Sequence, residues 1–82
     1  MNKELKESIG KVINYLRETN DLTQDELADM LDKTTNYISM IENGARSPSL
    51  GLIFEITRLF DISLNNFFAW VEMFYDGDNN DG

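Results

Sequence analysis

The sequence contains neither cysteine nor histidine. Without thiolates the chain can form no disulfide and offers no cysteine ligands to zinc. Without imidazole it also lacks the commonest general base and the commonest transition-metal ligand. These absences exclude the usual catalytic triads, zinc hydrolase sites and redox pairs. We therefore expect no enzymatic activity, no catalytic residue, no metal site, no cofactor and no small-molecule substrate.

Residues that break secondary structure are scarce, with one proline and five glycines among 82 residues. A chain of this length forms one domain, and its hydrophobic fraction of 41% suffices for a packed core. The longest apolar stretch, from Phe67 to Tyr75, contains Glu72 and is far shorter than the ~20 residues that cross a bilayer. The charged N-terminus also lacks the hydrophobic segment of a secretory signal. We expect an all-α cytoplasmic protein that makes no membrane contact.

Apolar residues repeat at the 3.6-residue spacing of an amphipathic helix in five segments of the chain. Thr23 and Glu26 form a capping-box pattern at the start of the second segment. Thr34, Ser49 and Ser63 are suitable N-cap residues for the three segments that follow. The predicted helices cover residues 3–20, 23–31, 34–43, 49–60 and 63–75.

Turn residues set the boundaries of these helices. Asn43-Gly44 ends the third helix, because Gly44 is free to adopt a positive φ. Asp32, in the turn before the third helix, tolerates the left-handed conformation. The predicted domain covers residues 1–75. Residues 76–82 are acidic and polar, and we expect this tail to be disordered.

The second and third predicted helices are joined by a short turn, and the third presents short polar side chains outward. This arrangement is typical of a helix-turn-helix, in which the first helix crosses the DNA backbone and the second enters the major groove. The major groove is about 12 Å wide and admits one helix. Short polar side chains suit that position because they reach base edges without steric conflict.

Four stretches carry a more specific signal: Ile9-Gly10-Lys11, the LTQDELA of residues 22–28, the YISMIENG of residues 37–44 and the RSPSL of residues 46–50. At this spacing they resemble the phage repressor/Cro family, also called the XRE family, over about residues 9–68. The resemblance implies a compact five-helix lambda-repressor-like domain in which helices two and three form the helix-turn-helix. It also implies a transcriptional regulator whose partner is double-stranded operator DNA.

The same resemblance implies the roles of individual residues. Gln24 corresponds to a family residue that contacts a phosphate and braces the third helix. Asn36 is the best candidate for base reading, because Asn pairs with adenine through two hydrogen bonds. Arg17 and Glu42 match a buried structural ion pair between the first helix and the end of the third. The predicted DNA-binding residues are Gln24, Lys33, Thr34, Thr35, Asn36, Ser39, Met40, Asn43 and Arg46.

Several of these residues have a purely structural explanation that the sequence leaves open. Gln24 is also a favourable residue near a helix start, and Thr34 caps a helix whatever the function. Asn36 can equally be a solvated surface side chain. Met40 either contacts a thymine methyl group or fills a gap in the packing. For Arg46 we expect a phosphate contact rather than a free surface charge, because of its position in the loop.

The charge balance is unusual for a nucleic-acid-binding protein, which normally carries a basic face. The net charge is −8, and the predicted third helix contains no basic residue, although relatives often carry Arg or Lys at positions 35 and 40. Few phosphates can then be neutralised, so non-specific binding is weak and depends little on salt. The alternative function is an antitoxin-type or antirepressor-type subunit of this fold, whose main partner is a protein.

The predicted fifth helix carries more large apolar side chains than one buried face requires. Trp70, Met73, Phe74 and Tyr75 remain after the core positions are assigned, and aromatic and Met residues are enriched at interfaces. We expect these four to form a homodimer interface that sets two recognition helices about 34 Å apart, matching a palindromic operator. In the alternative, this helix folds back over the open side of the core of its own subunit.

Overall fold

The structure is a computed structural model that describes residues 1–79. Five α-helices account for most of these residues. No described residue lies in a β-strand. The predicted all-α class with five helices is therefore confirmed. The helices are α1 (Lys3–Thr19), α2 (Gln24–Leu31), α3 (Thr35–Glu42), α4 (Leu50–Leu59) and α5 (Leu64–Asn79).

The helices begin where a capping side chain accepts a hydrogen bond from the first turn. The Thr23 hydroxyl accepts from Glu26 N at 3.1 Å, and the Glu26 carboxylate accepts from Thr23 N at 2.8 Å, which completes the predicted capping box. Thr34, Ser49 and Ser63 each accept a bond of 3.0–3.1 Å from the N–H group three residues further on. These caps place the starts of α2 to α5 where the sequence predicts them.

Aspartate residues form three of the interhelical turns. Asp21, Asp32 and Asp61 lie in the left-handed region, with φ values of 59°, 56° and 55°. Gly44 follows α3 with a φ of 80°. A short polar side chain makes this conformation accessible to aspartate at a small cost. The sequence predicts the left-handed residues Asp32 and Gly44 but misses Asp21 and Asp61, because aspartate is common in turns of several kinds.

Helix α5 ends later than the sequence predicts. It continues to Asn79, whereas the prediction placed its end at about residue 75 and a disordered tail after it. Gly77 does not adopt a positive φ and stays helical, so the acidic and polar composition of residues 76–79 does not end the helix. Of the predicted tail, residues 80–82 lie outside the described residues.

The core lies between the helices and draws side chains from all five. Phe67 of α5 is its largest fully buried side chain. Burial of one large apolar side chain stabilises a fold by about 1.5–3 kcal/mol, so this core supports the orientation of the shorter helices. The core residues are Ile9, Val12, Ile13, Leu16, Leu27, Ala28, Leu31, Ile38, Ile41, Leu52, Ile53, Ile56, Phe67 and Val71.

Helix α1 crosses the end of α3 at Gly10, where the two backbones approach closely. A β-carbon on Gly10 would lie 2.4 Å from the carbonyl oxygen of Ile41 and 2.6 Å from that of Glu42. Glycine is required here because any side chain would separate the helices. This close approach brings the polar residues of α1 within reach of Glu42.

Candidate nucleic-acid interface

The Glu42 carboxylate, at the end of α3, connects three helices. Arg17 Nε donates to Glu42 Oε2 at 2.7 Å, and Arg17 Nη2 donates to Oε1 at 3.1 Å. Asn14 Nδ2 and Gln24 Nε2 also donate to Oε1, each at 3.0 Å. A further bond of 2.7 Å runs from Arg17 Nη1 to the carbonyl oxygen of Leu22. The side chains of Arg17 and Glu42 are only 11% and 5% exposed, so most of the ion pair is shielded from solvent.

This network determines the charge state of Glu42. Burial alone would raise the pKa of Glu42, but hydrogen bonds from Arg17, Asn14 and Gln24 outweigh it and hold the pKa below its ordinary value of 4.5. The hydrogen bond to Glu42 in turn holds the pKa of the Arg17 guanidinium above its usual value. An ionised, hydrogen-bonded pair therefore ties α3 to α1 at neutral pH.

Gln24 is the first residue of α2 and is half-buried. Its side-chain amide donates to Glu42 and so connects the start of α2 to the end of α3. The amide nitrogen carries two hydrogens, and one of them makes this bond. The second hydrogen is chemically suited to a phosphate oxygen, which would combine both implied roles in one side chain.

The outer face of α3 is polar and carries no charge of its own before Glu42. Thr35 and Asn36 are exposed, whereas Ser39 and Met40 are half-buried. Asn36 Nδ2 lies 3.5 Å from Met40 Sδ, one helical turn away. Met40 is thus packed against a neighbour on the same helix while part of it remains exposed.

Thr34 and Thr35 differ in what their hydroxyl groups do. The Thr34 hydroxyl caps α3 and accepts from Tyr37 N at 3.1 Å. The Thr35 hydroxyl makes no bond within α3 among the described residues but donates to Asp25 Oδ1 on α2. An acidic side chain therefore stands beside the predicted recognition helix, a contact that sequence reasoning missed.

Two cationic side chains flank the ring of Tyr37 near the start of α3. Lys33 Nζ lies 5.7 Å and Arg46 Cζ lies 5.3 Å from the centre of the ring. Together with Asp32 and Thr34 they line an open concavity of about 570 Å³. Cation–π contacts of this kind hold long side chains in place. The two bases thus stand together beside the N-terminal end of α3.

The loop after α3 is tied back to the helix. Asn43 Oδ1 accepts from Ala45 N at 3.0 Å, and Arg46 N donates to the carbonyl oxygen of Met40 at 3.2 Å. Asn43 and Arg46 are both exposed. The Arg46 side chain therefore projects from an anchored backbone rather than from a free loop.

A separate apolar groove of about 350 Å³ lies between α1 and α5. Val12, Tyr15, Trp70, Met73 and Phe74 line it. The rings of Tyr15 and Trp70 meet edge to face, with centres 5.9 Å apart. Met73 is 70% exposed, and Phe74 is 37% exposed.

Three of the four predicted interface residues thus meet in this groove. The fourth, Tyr75, is half-buried and is not part of its lining. Helix α5 also packs along α1 of its own subunit, with Phe67 and Val71 buried. The structure therefore contains the folded-back helix of the alternative, and it leaves an apolar groove exposed as well.

Four residues of these sites were missed by sequence reasoning: Asn14, Tyr15, Asp25 and Tyr37. Asn14 and Tyr15 lie on α1, and only the crossing angle of two helices decides which side chains reach Glu42 and Trp70. Asp25 carries no signal of its contact with Thr35, because an acid in the first turn of a helix is common. Tyr37 stands beside apolar residues of the third predicted helix, and the sequence carries no signal of its contact with Arg46, which lies in the following loop.

Among residues 1–77, no group of three or more acidic side chains is placed to hold a metal ion. No helix in the same range is long and apolar enough to cross a bilayer.

The geometry of α2, α3 and their turn defines a helix-turn-helix protein. Residues 13–67 match the family described as Helix-turn-helix, and this match covers more than half of the chain. The chain belongs to this family. The predicted family, five-helix fold and class of DNA-binding regulator are confirmed by this match together with the relatives below.

Two relatives illustrate the range of proteins that share this sequence pattern. An uncharacterized HTH-type transcriptional regulator of Methanocaldococcus jannaschii is 34% identical over 58 residues, which are 71% of this chain and 88% of the relative. Antitoxin PezA of Streptococcus pneumoniae is 46% identical over 55 residues, which are 67% of this chain. The matched part is only 35% of the antitoxin, so the antitoxin is much longer than this chain.

A solved structure supports the fold. The crystal structure of the clp gene regulator ClgR from Corynebacterium glutamicum superposes with a TM-score of 0.86. The superposition covers 93% of this chain and 81% of that one at 20% sequence identity. At this identity the likeness is one of fold.

Proposed function

We propose that this protein is a sequence-specific transcriptional regulator that inserts α3 into the major groove of an operator. One observation carries the proposal: the uncharged outer face of α3 is flanked by Lys33 and Arg46, both held beside Tyr37. Phosphate contacts position a protein on DNA, whereas polar side chains that reach base edges give specificity. Asn36 is the side chain best suited to base reading, and Ser39 and Met40 lie further along the same face.

Backbone contacts are assigned to residues around this face. Lys33 and Arg46 neutralise phosphates beside the N-terminal end of α3, and Gln24 donates its second amide hydrogen to another phosphate. Thr34 and Asn43 lie at the two ends of α3, where their backbone groups are close to the sugar-phosphate chain. With only two exposed bases at this surface, the affinity for non-specific DNA is low.

We also propose that the regulator acts as a homodimer through the groove lined by Trp70, Met73 and Phe74. Exposed apolar side chains around a groove are typical of an interface. Two-fold symmetry pairs the groove with itself and presents two α3 helices to a palindromic operator.

Selection of bound sequences from a random DNA library tests the DNA-binding function. We expect the wild type to enrich a palindromic motif at low ionic strength. Gel shifts on that motif across a salt series then compare Arg46→Ala with Arg58→Ala, which removes the same charge from α4. We expect Arg46→Ala to weaken all sequences alike and to reduce the salt slope by about one unit, with Arg58→Ala near the wild type. A wild type that enriches no sequence contradicts the proposal.

A protein-binding function on the same fold is the second candidate. The net charge of −8 and the absence of a base from α3 favour it, and the similarity to an antitoxin agrees with it. In that case a partner protein would be captured by the wild type while the DNA library returned only background sequences.

A further inference from the structure

Thr35 and Asp25 face each other across the helix-turn-helix, and both are exposed. Asp25 is the second residue of α2, and Thr35 is the first residue of α3. The Thr35 hydroxyl donates its hydrogen to Asp25 Oδ1. A carboxylate has no hydrogen to give, so chemistry allows this bond only one direction.

That direction decides what Thr35 presents to a ligand. A threonine hydroxyl has one hydrogen and two lone pairs, and it normally rotates to serve either a donor or an acceptor. Once the hydrogen points to Asp25, only lone pairs face outward. A hydroxyl that was free to rotate would distinguish little between bases.

We propose that Asp25 makes Thr35 an acceptor-only reader of one base edge, which selects adenine or cytosine over guanine or thymine. In the major groove adenine N6 and cytosine N4 carry hydrogens, whereas guanine O6 and thymine O4 accept. An acceptor that faces a keto oxygen gains no hydrogen bond and brings two electron-rich atoms together. The inference rests on the DNA-binding function proposed above and names the class of base that Thr35 reads.

The presence of an acid on this surface also has a structural explanation. A carboxylate in the first turn of α2 interacts favourably with the helix dipole. That explanation accounts for the acid at residue 25 and predicts a change in stability when it is removed. It predicts no change in base preference, so the two explanations lead to different measurements.

Selection from the DNA library distinguishes base reading by Thr35 from a purely structural role of Asp25. Four proteins are compared: the wild type, Asp25→Ala, Thr35→Val and Asp29→Ala. Asp29 is another exposed acid of α2, so Asp29→Ala removes the same charge and leaves the Thr35 bond intact. We expect one motif position in the wild type to favour amino bases over keto bases about 3- to 10-fold, the effect of one hydrogen bond. Asp25→Ala and Thr35→Val lose this preference, and Asp29→Ala retains it.

A synthetic duplex gives a second measurement at the same position. Its adenine or cytosine is replaced by an analogue that lacks the exocyclic amino group. We expect the wild type and Asp29→Ala to bind this duplex about 3- to 10-fold more weakly than the unmodified one. Thr35→Val makes no such bond, so it measures the cost of the weakened base pair alone. If Asp25→Ala is unfolded by circular dichroism, Thr35→Val and the analogue duplex decide the question.

The outcomes distinguish this inference from the function on which it rests. If Asp25→Ala or Thr35→Val enriches the same motif as the wild type, Thr35 does not select adenine or cytosine. The proposed DNA-binding function is unaffected by that result. A library from which the wild type enriches nothing overturns the DNA-binding function, and this inference with it.

Discussion

Among single residues, Glu42 links the stability of the domain to its proposed DNA-binding surface. Its carboxylate binds Arg17 of α1 and Gln24 of α2 at the same time. The bonds to Arg17 anchor the end of α3, and the bond to Gln24 orients an amide that we assign to a phosphate. We therefore expect the loss of either partner to affect both the stability of the fold and the position of the proposed DNA-binding surface.

Removal of Arg17 tests the structural side of this link. We expect Arg17→Ala to lower the free energy of unfolding by about 3–5 kcal/mol, because it leaves the buried Glu42 carboxylate without its cation. Urea and thermal unfolding followed by circular dichroism measure the loss. Arg58→Ala is the matched control, since Arg58 is exposed, and it should shift the thermal midpoint little. A midpoint of Arg17→Ala equal to that of the wild type would contradict the role of the pair.

The lowered pKa of Glu42 predicts how stability depends on pH. In the unfolded chain Glu42 binds protons near its ordinary pKa of 4.5, whereas in the folded protein it does so only at lower pH. Its contribution is thus complete above that value and is lost as the pH falls through the lower pKa of the folded state. We expect Glu42→Gln to be less stable than the wild type at pH 7, and the difference to shrink in acid. Unfolding in urea at pH 7, 5 and 3 measures it, and a difference that does not change with pH excludes this linkage.

The residue scale also shows where sequence reasoning reached its limit. Helix periodicity cannot reveal that Arg17 meets Glu42, and only the family resemblance supplied that pair. The resemblance did not supply Asn14, which donates to the same carboxylate. Contacts between residues far apart in the chain depend on how helices cross, and one sequence contains no direct record of that geometry.

At the scale of elements, the crossing of α1 over α3 depends on Gly10. We expect Gly10→Ala to destabilise the domain by about 1–3 kcal/mol, because the added methyl group would overlap the carbonyl oxygens of Ile41 and Glu42. This loss opposes the gain of up to about 1 kcal/mol that alanine offers within a helix.

Gly51→Ala provides the control for this substitution. Gly51 lies in α4, where the nearest atom to an added β-carbon is 3.9 Å away. We therefore expect this variant to be as stable as the wild type or slightly more stable in urea unfolding. If Gly10→Ala behaves in the same way, the close approach of α1 and α3 is not a constraint.

The elements themselves were largely predictable, because their starts depend on neighbouring residues. The bonds between Thr23 and Glu26, and the cap at Thr34, connect groups three residues apart, so the local sequence contains all that is needed. The end of α5 was not predictable in this way. Gly77 has no other group within 4 Å of its β-position and continues the helix. A glycine allows a helix to end at that position but does not force it to end there.

At the scale of the whole molecule, the groove between α1 and α5 predicts the state of assembly. We expect Trp70→Glu to convert the proposed homodimer to a monomer in sedimentation, because a buried carboxylate without a partner would oppose association. Met30→Glu is the control, since Met30 is an exposed apolar side chain of α2, outside the groove. If Trp70→Glu keeps the mass of the wild type, the subunits meet elsewhere or not at all.

The distribution of charge over the molecule has a kinetic consequence. Acids exceed bases by eight, yet Lys33 and Arg46 stand together at one end of α3. When the protein diffuses toward DNA, the phosphates repel its acidic surfaces and attract Lys33 and Arg46. These forces rotate the protein so that the two bases face the DNA. Encounters made in the wrong orientation are then brief, and so is residence on random genomic sequence. We expect the protein to dissociate quickly from non-specific sites. Its residence time at the operator should depend on hydrogen bonds with the bases.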